Sequence, residues 1–203
     1  MPQAPATVPL PPPRLDSSCS VERALHTRRT TREFSNQAIT LGELSQLLWA
    51  AQGITSPEGF RTAPSAGALY PLEVSLTAGN VEGLGAGIYR YVPETHRLTR
   101  TASGDVRSPL ASAALGQDWF EASAAVLVFA TVEQRTTRKY GTRGGRYIHI
   151  EVGHAAQNVA LQAVCLGLAT AVVGAFDDTR VGELMKLPPG EQPLYLMPVG
   201  RSE

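Results

Sequence analysis

The chain has 203 residues, 43% of them apolar and 18% charged, with 18 basic side chains balanced by 18 acidic ones. That length suits one domain burying roughly 70% of its unfolded surface, and the composition is too apolar for a disordered chain. With no net charge there is no overall field to draw in nucleic acid or an anionic membrane, so neither is expected as a partner.

Residues 1–14 (MPQAPATVPLPPPR) carry six prolines and predict an extended arm, docked on the body or a partner or else frayed. The same prolines break any signal-peptide helix, and the apolar run 122–132 is far shorter than the ~20 residues of a membrane helix. A cytoplasmic protein is expected. Ser20 suits the cap of a short helix over 21–28. Thr40 and Glu43 form a T-x-x-E capping box ahead of Leu41, Leu44, Leu47, Leu48 and Ala51, with Gly53 as the stop. Strands are predicted over 72–78 and 87–92, and over 124–132, which is apolar on both faces and therefore central. Residues 148–168 are apolar nearly all round and predict a buried helix closed by Gly167. Strands over 170–174 and 194–199 flank a helix near 179–187, capped by Asp177 or Asp178 and ended by Pro188. The pattern is α+β, with helices flanking a central mixed sheet.

Three segments carry candidate chemistry. Arg28-Arg29-Thr30-Thr31-Arg32 offers guanidinium forks and hydroxyls suited to a phosphate, although such a cluster also fits a solvated helix end. Residues 61–71 (RTAPSAGALYP) place small side chains and Gly67 between two prolines, which permits close approach to a flat ligand or merely makes a turn. Residues 172–178 (VVGAFDD) form a strand end and helix cap of the kind that borders ligands in α/β sheets.

Other chemistries are not supported. Gly83, Gly85 and Gly87 have the wrong spacing for a dinucleotide fingerprint and lead into a strand. His149 and His154 are five apart, HExxH is absent and no metal site is expected; each histidine is read as a core or interface residue. Cys19 and Cys165 lie far apart without a CxxC pair, suggesting neither a disulfide framework nor a thiolate site and fitting a reducing compartment. Neither G-x-S-x-G nor a P-loop occurs.

Taken in order, RRTTREF (28–34), LSQLLWAAQGI (44–54), RTAPSAGALYPLEV (61–74), KYGTRGGRYIHIEVGHAAQN (139–158) and GLATAVVGAFDD (167–178) resemble the nitroreductase superfamily. More closely they resemble its SagB/ThcOx-type branch, which includes azoline dehydrogenases of thiazole and oxazole peptide biosynthesis. The resemblance implies a nitroreductase-like FMN-binding domain over 15–203, completed by homodimerisation, with two flavin sites each lined by both chains. It assigns Arg28 and Thr30 to the FMN phosphate, Arg29 nearby, and Arg32 to the N1/C2 edge of the ring, where a cation stabilises the reduced flavin. Pro64, Ser65, Ala66, Gly67 and Ala68 would cover the flavin from the partner chain, and Gly174 and Ala175 would present backbone near N5.

The chain departs from the family pattern at Ala68, where many nitroreductases have asparagine, and at its end, where Arg201 is the only candidate for a C-terminal phosphate ligand. Lys139-Tyr140 resembles the azoline dehydrogenase motif, with Lys139 as base and Tyr140 positioning or donating. A lysine can act so only if burial or nearby cations such as Arg135, Arg138, Arg143 and Arg146 favour its neutral form. The alternative is a mobile basic loop. The implied activity is hydride transfer between flavin N5 and a small or peptide-derived heterocycle. The alternatives are an NAD(P)H-dependent reductase of nitroaromatics or quinones, or a flavin-binding partner subunit without turnover.

Overall fold

The computed structural model describes residues 6–203. In chain order they form β1 (Thr7–Pro9), α1 (Val21–Thr27), β2 (Phe34–Ser35), α2 (Leu41–Gln52), β3 (Leu72–Ala78), β4 (Gly87–Val92), β5 (Arg97–Ser103), α3 (Arg107–Ala113), β6 (Ala125–Thr131), α4 (Gln134–Tyr140), α5 (Gly144–Cys165), β7 (Ala169–Thr170), α6 (Asp178–Leu184) and β8 (Gln192–Ser202). The eight strands make one sheet in the order β1-β5-β4-β3-β6-β8-β2, with β7 also paired to β8. Every strand pair is antiparallel; the parallel component expected of a mixed sheet is confined to a bridge between Ile39 and Val81.

The core lies on both faces of the sheet, which explains the doubly apolar β6. Leu127 and Phe129 pack with Leu44, Leu48, Val152 and Val159 of α2 and α5, whereas Val126 and Val128 pack with Leu110 of α3 and Val181 of α6. The capping box starts α2: the Thr40 hydroxyl accepts from the Glu43 N–H at 3.1 Å and the Glu43 carboxylate from the Thr40 N–H at 2.8 Å. Ser20 and Asp177 likewise cap α1 and α6.

Several sequence expectations are corrected. The strand expected over 170–174 stops at Thr170, because Ala171 would next face Pro198, which has no N–H to continue the ladder. A separate bridge then joins Val173 to Leu196. The basic segment around Lys139 is not a loop but helix α4, with Arg138 and Lys139 complementing the carbonyls of its last turn. Helix α5 starts at Gly144, where close packing on Thr137 leaves no room for a Cβ. It is buried on one face only: His149, Ile150, Gly153, His154 and Gln157 are exposed, so neither histidine belongs to the core.

The arm docks on its own body, while residues 1–5 of it lie outside the described residues. Val8 pairs with Leu98, Leu10 is buried, the Ser45 hydroxyl donates to the Pro11 carbonyl at 2.6 Å, and the Gln46 amide brackets Arg14. Cys19 and Cys165 are disulfide-bonded with Cα atoms 5.5 Å apart, which overturns the reading of two separate thiols. Their 146-residue separation hid the pairing, because packing of α1 on the end of α5 is a tertiary event. Among the described residues no helix is long and apolar enough to cross a membrane.

Candidate functional site

The arginine segment leaves α1 at Arg28 and is fixed beside the sheet by the Thr31 N–H, which donates to the Thr170 carbonyl at 3.1 Å. Arg28 and Thr30 thereby line a cleft of about 140 Å³ together with Thr170, Val172 and Tyr195. Its floor is the small-residue face of α5, made by Gly153, Ala156 and Ala160 with Gln157 beside them. A Cβ on Gly153 would meet nothing within 4 Å, so this face is open. Two of the predicted arginines do not line the cleft. Arg29 folds back onto the carbonyls of His26 and Arg28, and the Arg32 guanidinium lies 5.9 Å from the centre of the Trp119 ring.

A second cluster forms around residues 61–70. The Ser65 hydroxyl accepts from the Tyr70 N–H at 2.9 Å, the Tyr70 hydroxyl accepts from the Arg61 N–H at 3.2 Å, and Arg61 stacks on the Tyr70 ring at 4.8 Å. Gly67, Ala68 and Tyr70 all have positive φ, at 65°, 54° and 45°. This bent segment meets α4: a Cβ on Gly67 would lie 2.7 Å from the Tyr140 hydroxyl and 2.9 Å from Lys139 Nζ. Pro64, Ser65, Ala66, Gly67 and Ala68 are therefore brought together with Lys139 and Tyr140 within one chain. Tyr140 is braced edge-on by Tyr147 at 5.0 Å. Arg135, expected to act on Lys139, is engaged by Glu73 and the Tyr70 carbonyl.

Gly174 and Ala175 are exposed, and Gly174 sits against the Tyr195 ring that also lines the cleft. Arg201, expected as a phosphate ligand, is paired instead with the Glu43 carboxylate at 2.9 Å. Among the described residues no cluster of three or more His, Cys, Asp or Glu side chains could hold a metal ion.

Sequence reasoning missed Glu151, which is buried on α5 with Oε1 unpartnered. Burial pushes its carboxyl up to about 7, against the opposing pull of the Ser65 hydroxyl and the Arg61 charge. The available signal was its place at helical spacing between Ile148 and Ala155, an acid in an otherwise apolar face.

The fold is that of a nitroreductase-type oxidoreductase, and the chain belongs to the nitroreductase family, whose model matches residues 25–201. MJ1384 of Methanocaldococcus jannaschii, named provisionally as a nitroreductase, is 49% identical over 181 residues, covering 89% of this chain and 90% of its own. A solved structure from Ralstonia eutropha, also named provisionally as a nitroreductase, is 29% identical with a TM-score of 0.86, covering 100% of this chain and 95% of that one. The microcin B17-processing protein McbC of Escherichia coli is 33% identical over 137 residues, 63% of this chain and 48% of McbC, so this chain spans about half of McbC. The solved E. coli microcin synthetase McbBCD complex with truncated pro-MccB17 bound contains a chain that is 27% identical, with a TM-score of 0.75, covering 95% of this chain and 77% of that one.

Proposed function

We propose that the protein is an FMN-dependent oxidoreductase of the SagB type that works as a homodimer and oxidises a small or peptide-derived heterocycle. One observation carries this reading: the two clusters lie on different faces of α5. Gly153, Ala156, Gln157 and Ala160 face the arginine cleft, whereas Glu151 underlies the 64–68 segment and Asn158 donates to the Thr62 carbonyl at 3.2 Å. At 100° per residue these faces diverge by roughly 150°. One chain therefore offers two half-sites, and a second chain related by a twofold axis would join the cleft of one to the 64–68 segment of the other. The exposed Val21 and Leu25 of α1 and Ile150 of α5 supply apolar surface for that contact.

The residues fit FMN. The Arg28 guanidinium and Thr30 hydroxyl suit the phosphate, Arg29 adds charge at the rim, and the small-residue floor admits a flat group. Arg32, released from Trp119, is assigned to the N1/C2 edge, and the backbone of Gly174 and Ala175 to the neighbourhood of N5. Arg201 is left as a secondary contributor, since Glu43 already holds it. When bound, FMN supplies the hydride acceptor at N5. Lys139 removes the substrate proton, and Tyr140, fixed by Tyr147, orients the amine. Lys139 is exposed in the single chain, so the partner's cover and the ligand supply the desolvation a base requires.

The names of MJ1384 and the Ralstonia relative favour a second reading, reduction of nitroaromatics or quinones by NAD(P)H. The McbBCD complex favours a third, a flavin-binding subunit that turns over only with partners. Anaerobic mixing with NADPH tests these. Rapid bleaching of the flavin supports the reductase, and bleaching by an azoline peptide alone supports the dehydrogenase. Bleaching by neither until a partner is added leaves the subunit.

A further inference from the structure

Helix α4, which carries Lys139 and Tyr140, has little of its own to hold it. Among its seven residues only Thr136 is buried, and no side chain caps its start. Apolar burial therefore does not fix how the helix is turned about its axis. One anchor is the close packing of Thr137 against Gly144 of α5. The second is Arg135. One terminal nitrogen of its guanidinium donates to the Tyr70 carbonyl at 3.0 Å, and the other donates to the Glu73 carboxylate of β3.

Both acceptors are themselves fixed. The second oxygen of Glu73 is paired with Arg90 of β4 at 2.9 Å, and Arg90 is gripped by both oxygens of Glu191 at 2.7 and 3.0 Å. Glu73 thus offers Arg135 a carboxylate already oriented, and a planar fork of donors spans it and the carbonyl at once. Tyr70 closes the 64–68 bend. Its N–H donates to the Ser65 hydroxyl at 2.9 Å, its own hydroxyl accepts from the Arg61 N–H, and its φ is +45°. Such a backbone persists only where its surroundings over-determine it, and Arg135 supplies the bond to its carbonyl. Arg135 and Lys139 stand one turn apart on the same side of α4. A bond that fixes Arg135 therefore also fixes the rotation of the helix that decides where Lys139 stands.

We propose that Arg135 is a positioning residue that couples α4 to the 64–68 bend: by clamping the Tyr70 carbonyl and Glu73 together, it sets Lys139 and Tyr140 against the bend. Its role is geometric, because Arg90 and Arg135 are balanced by Glu73 and Glu191 within one network. The consequence for catalysis rests on the reading of Lys139 as base given above, whereas the coupling itself does not.

The test is amide hydrogen exchange in the full-length protein and in Arg135→Gln. Arg135 is exposed, so its replacement leaves the core intact. Exchange over residues 65–70 and over 135–140 should rise together by about three- to tenfold, the scale of charge-assisted bonds lost at a partly exposed site. A rise in one segment alone, or in neither, would overturn the proposal. With an azoline peptide, kcat of Arg135→Gln should fall by about 10- to 100-fold, while FMN content and the pH midpoint of the rate stay unchanged. Arg135→Lys keeps the charge but not the fork and should be about as slow. A moved midpoint, or full recovery by lysine, would reduce the role to charge and overturn the proposal. If the wild type oxidises no azoline while both segments still exchange faster in Arg135→Gln, the coupling stands and the reading of Lys139 as base falls.

Discussion

A Cβ on Gly67 would stand 2.7 Å from the Tyr140 hydroxyl, on a residue whose φ is +65°. The bend of the 64–68 segment and the position of the Lys139-Tyr140 pair therefore depend on one another. Gly67→Ala should lower stability by about 1 kcal/mol from the left-handed backbone alone and push the two side chains off the bend. We expect a lower melting temperature together with slower turnover. A variant with wild-type melting temperature and rate would show that the contact positions nothing.

Much of this arrangement was legible in the sequence. The T-x-x-E box fixed the start of α2 because capping is local, and strands 72–78 and 87–92 were set by alternation and turns. The site segments were found by resemblance, since Arg28, Gly67 and Lys139 carry no short-range signal that they serve a common ligand. What escaped was tertiary. The exposed face of α5 was masked because His149, Ile150, Gly153, His154 and Gln157 are interleaved with alanines and valines that raise the apolar content of the whole helix. Pro198 shortened β7 from across the sheet, Cys19 met Cys165 across 146 residues, and Glu43 captured Arg201 from 158 residues away.

That last capture separates two arginines that the sequence grouped together. Arg28→Ala should weaken FMN binding by roughly 10- to 100-fold, the equivalent of a charge-assisted hydrogen bond of ~1.5–3 kcal/mol. Arg201→Ala should change the dissociation constant by no more than a few-fold while lowering stability through loss of the Glu43 pair. Equal losses of affinity in the two variants would place Arg201 at the phosphate after all.

The Cys19–Cys165 bond closes most of the chain into one loop and anchors the segment preceding α1 to the end of α5. Removing it with Cys165→Ser should cost about 2–5 kcal/mol, the range for long closed loops. Thiol titration of the unreduced native protein should find no free cysteine. Two reactive thiols there, with stability indifferent to reductant, would contradict the pairing.

Glu151 also makes a prediction about stability without any ligand. Its folded-state carboxyl is raised to about 7 from an ordinary 4.5, so the folded protein holds a proton that the unfolded chain has released. The associated stability is fully present below about pH 4.5, declines as pH rises, and is lost above about 7. Glu151→Gln carries no such term. Denaturant unfolding should show the difference between the variant and the wild type moving in the variant's favour by up to roughly 3 kcal/mol between pH 4.5 and 8. A constant difference across that range would mean that Glu151 ionises normally.

Lys139→Ala should slow oxidation of an azoline peptide by roughly 10²–10⁴-fold, the usual scale of general base catalysis, with FMN content unchanged. Reduction of a nitroaromatic, which requires no carbon-bound proton to be removed, should be much less affected. Full activity on every substrate would leave Lys139 without a catalytic role.

On the proposed function, the cleft of one chain and the 64–68 segment of another build one flavin site. Co-expression of two differently tagged chains, one carrying Arg28→Ala and the other Gly67→Val, followed by purification of the mixed dimer, tests it directly. In that dimer one site inherits both lesions and the other inherits neither. FMN should therefore bind at about one equivalent per mixed dimer, with wild-type affinity, while each parental homodimer binds weakly at both sites. A mixed dimer without a wild-type site, or flavin held by a sedimenting monomer, would contradict the two-chain site.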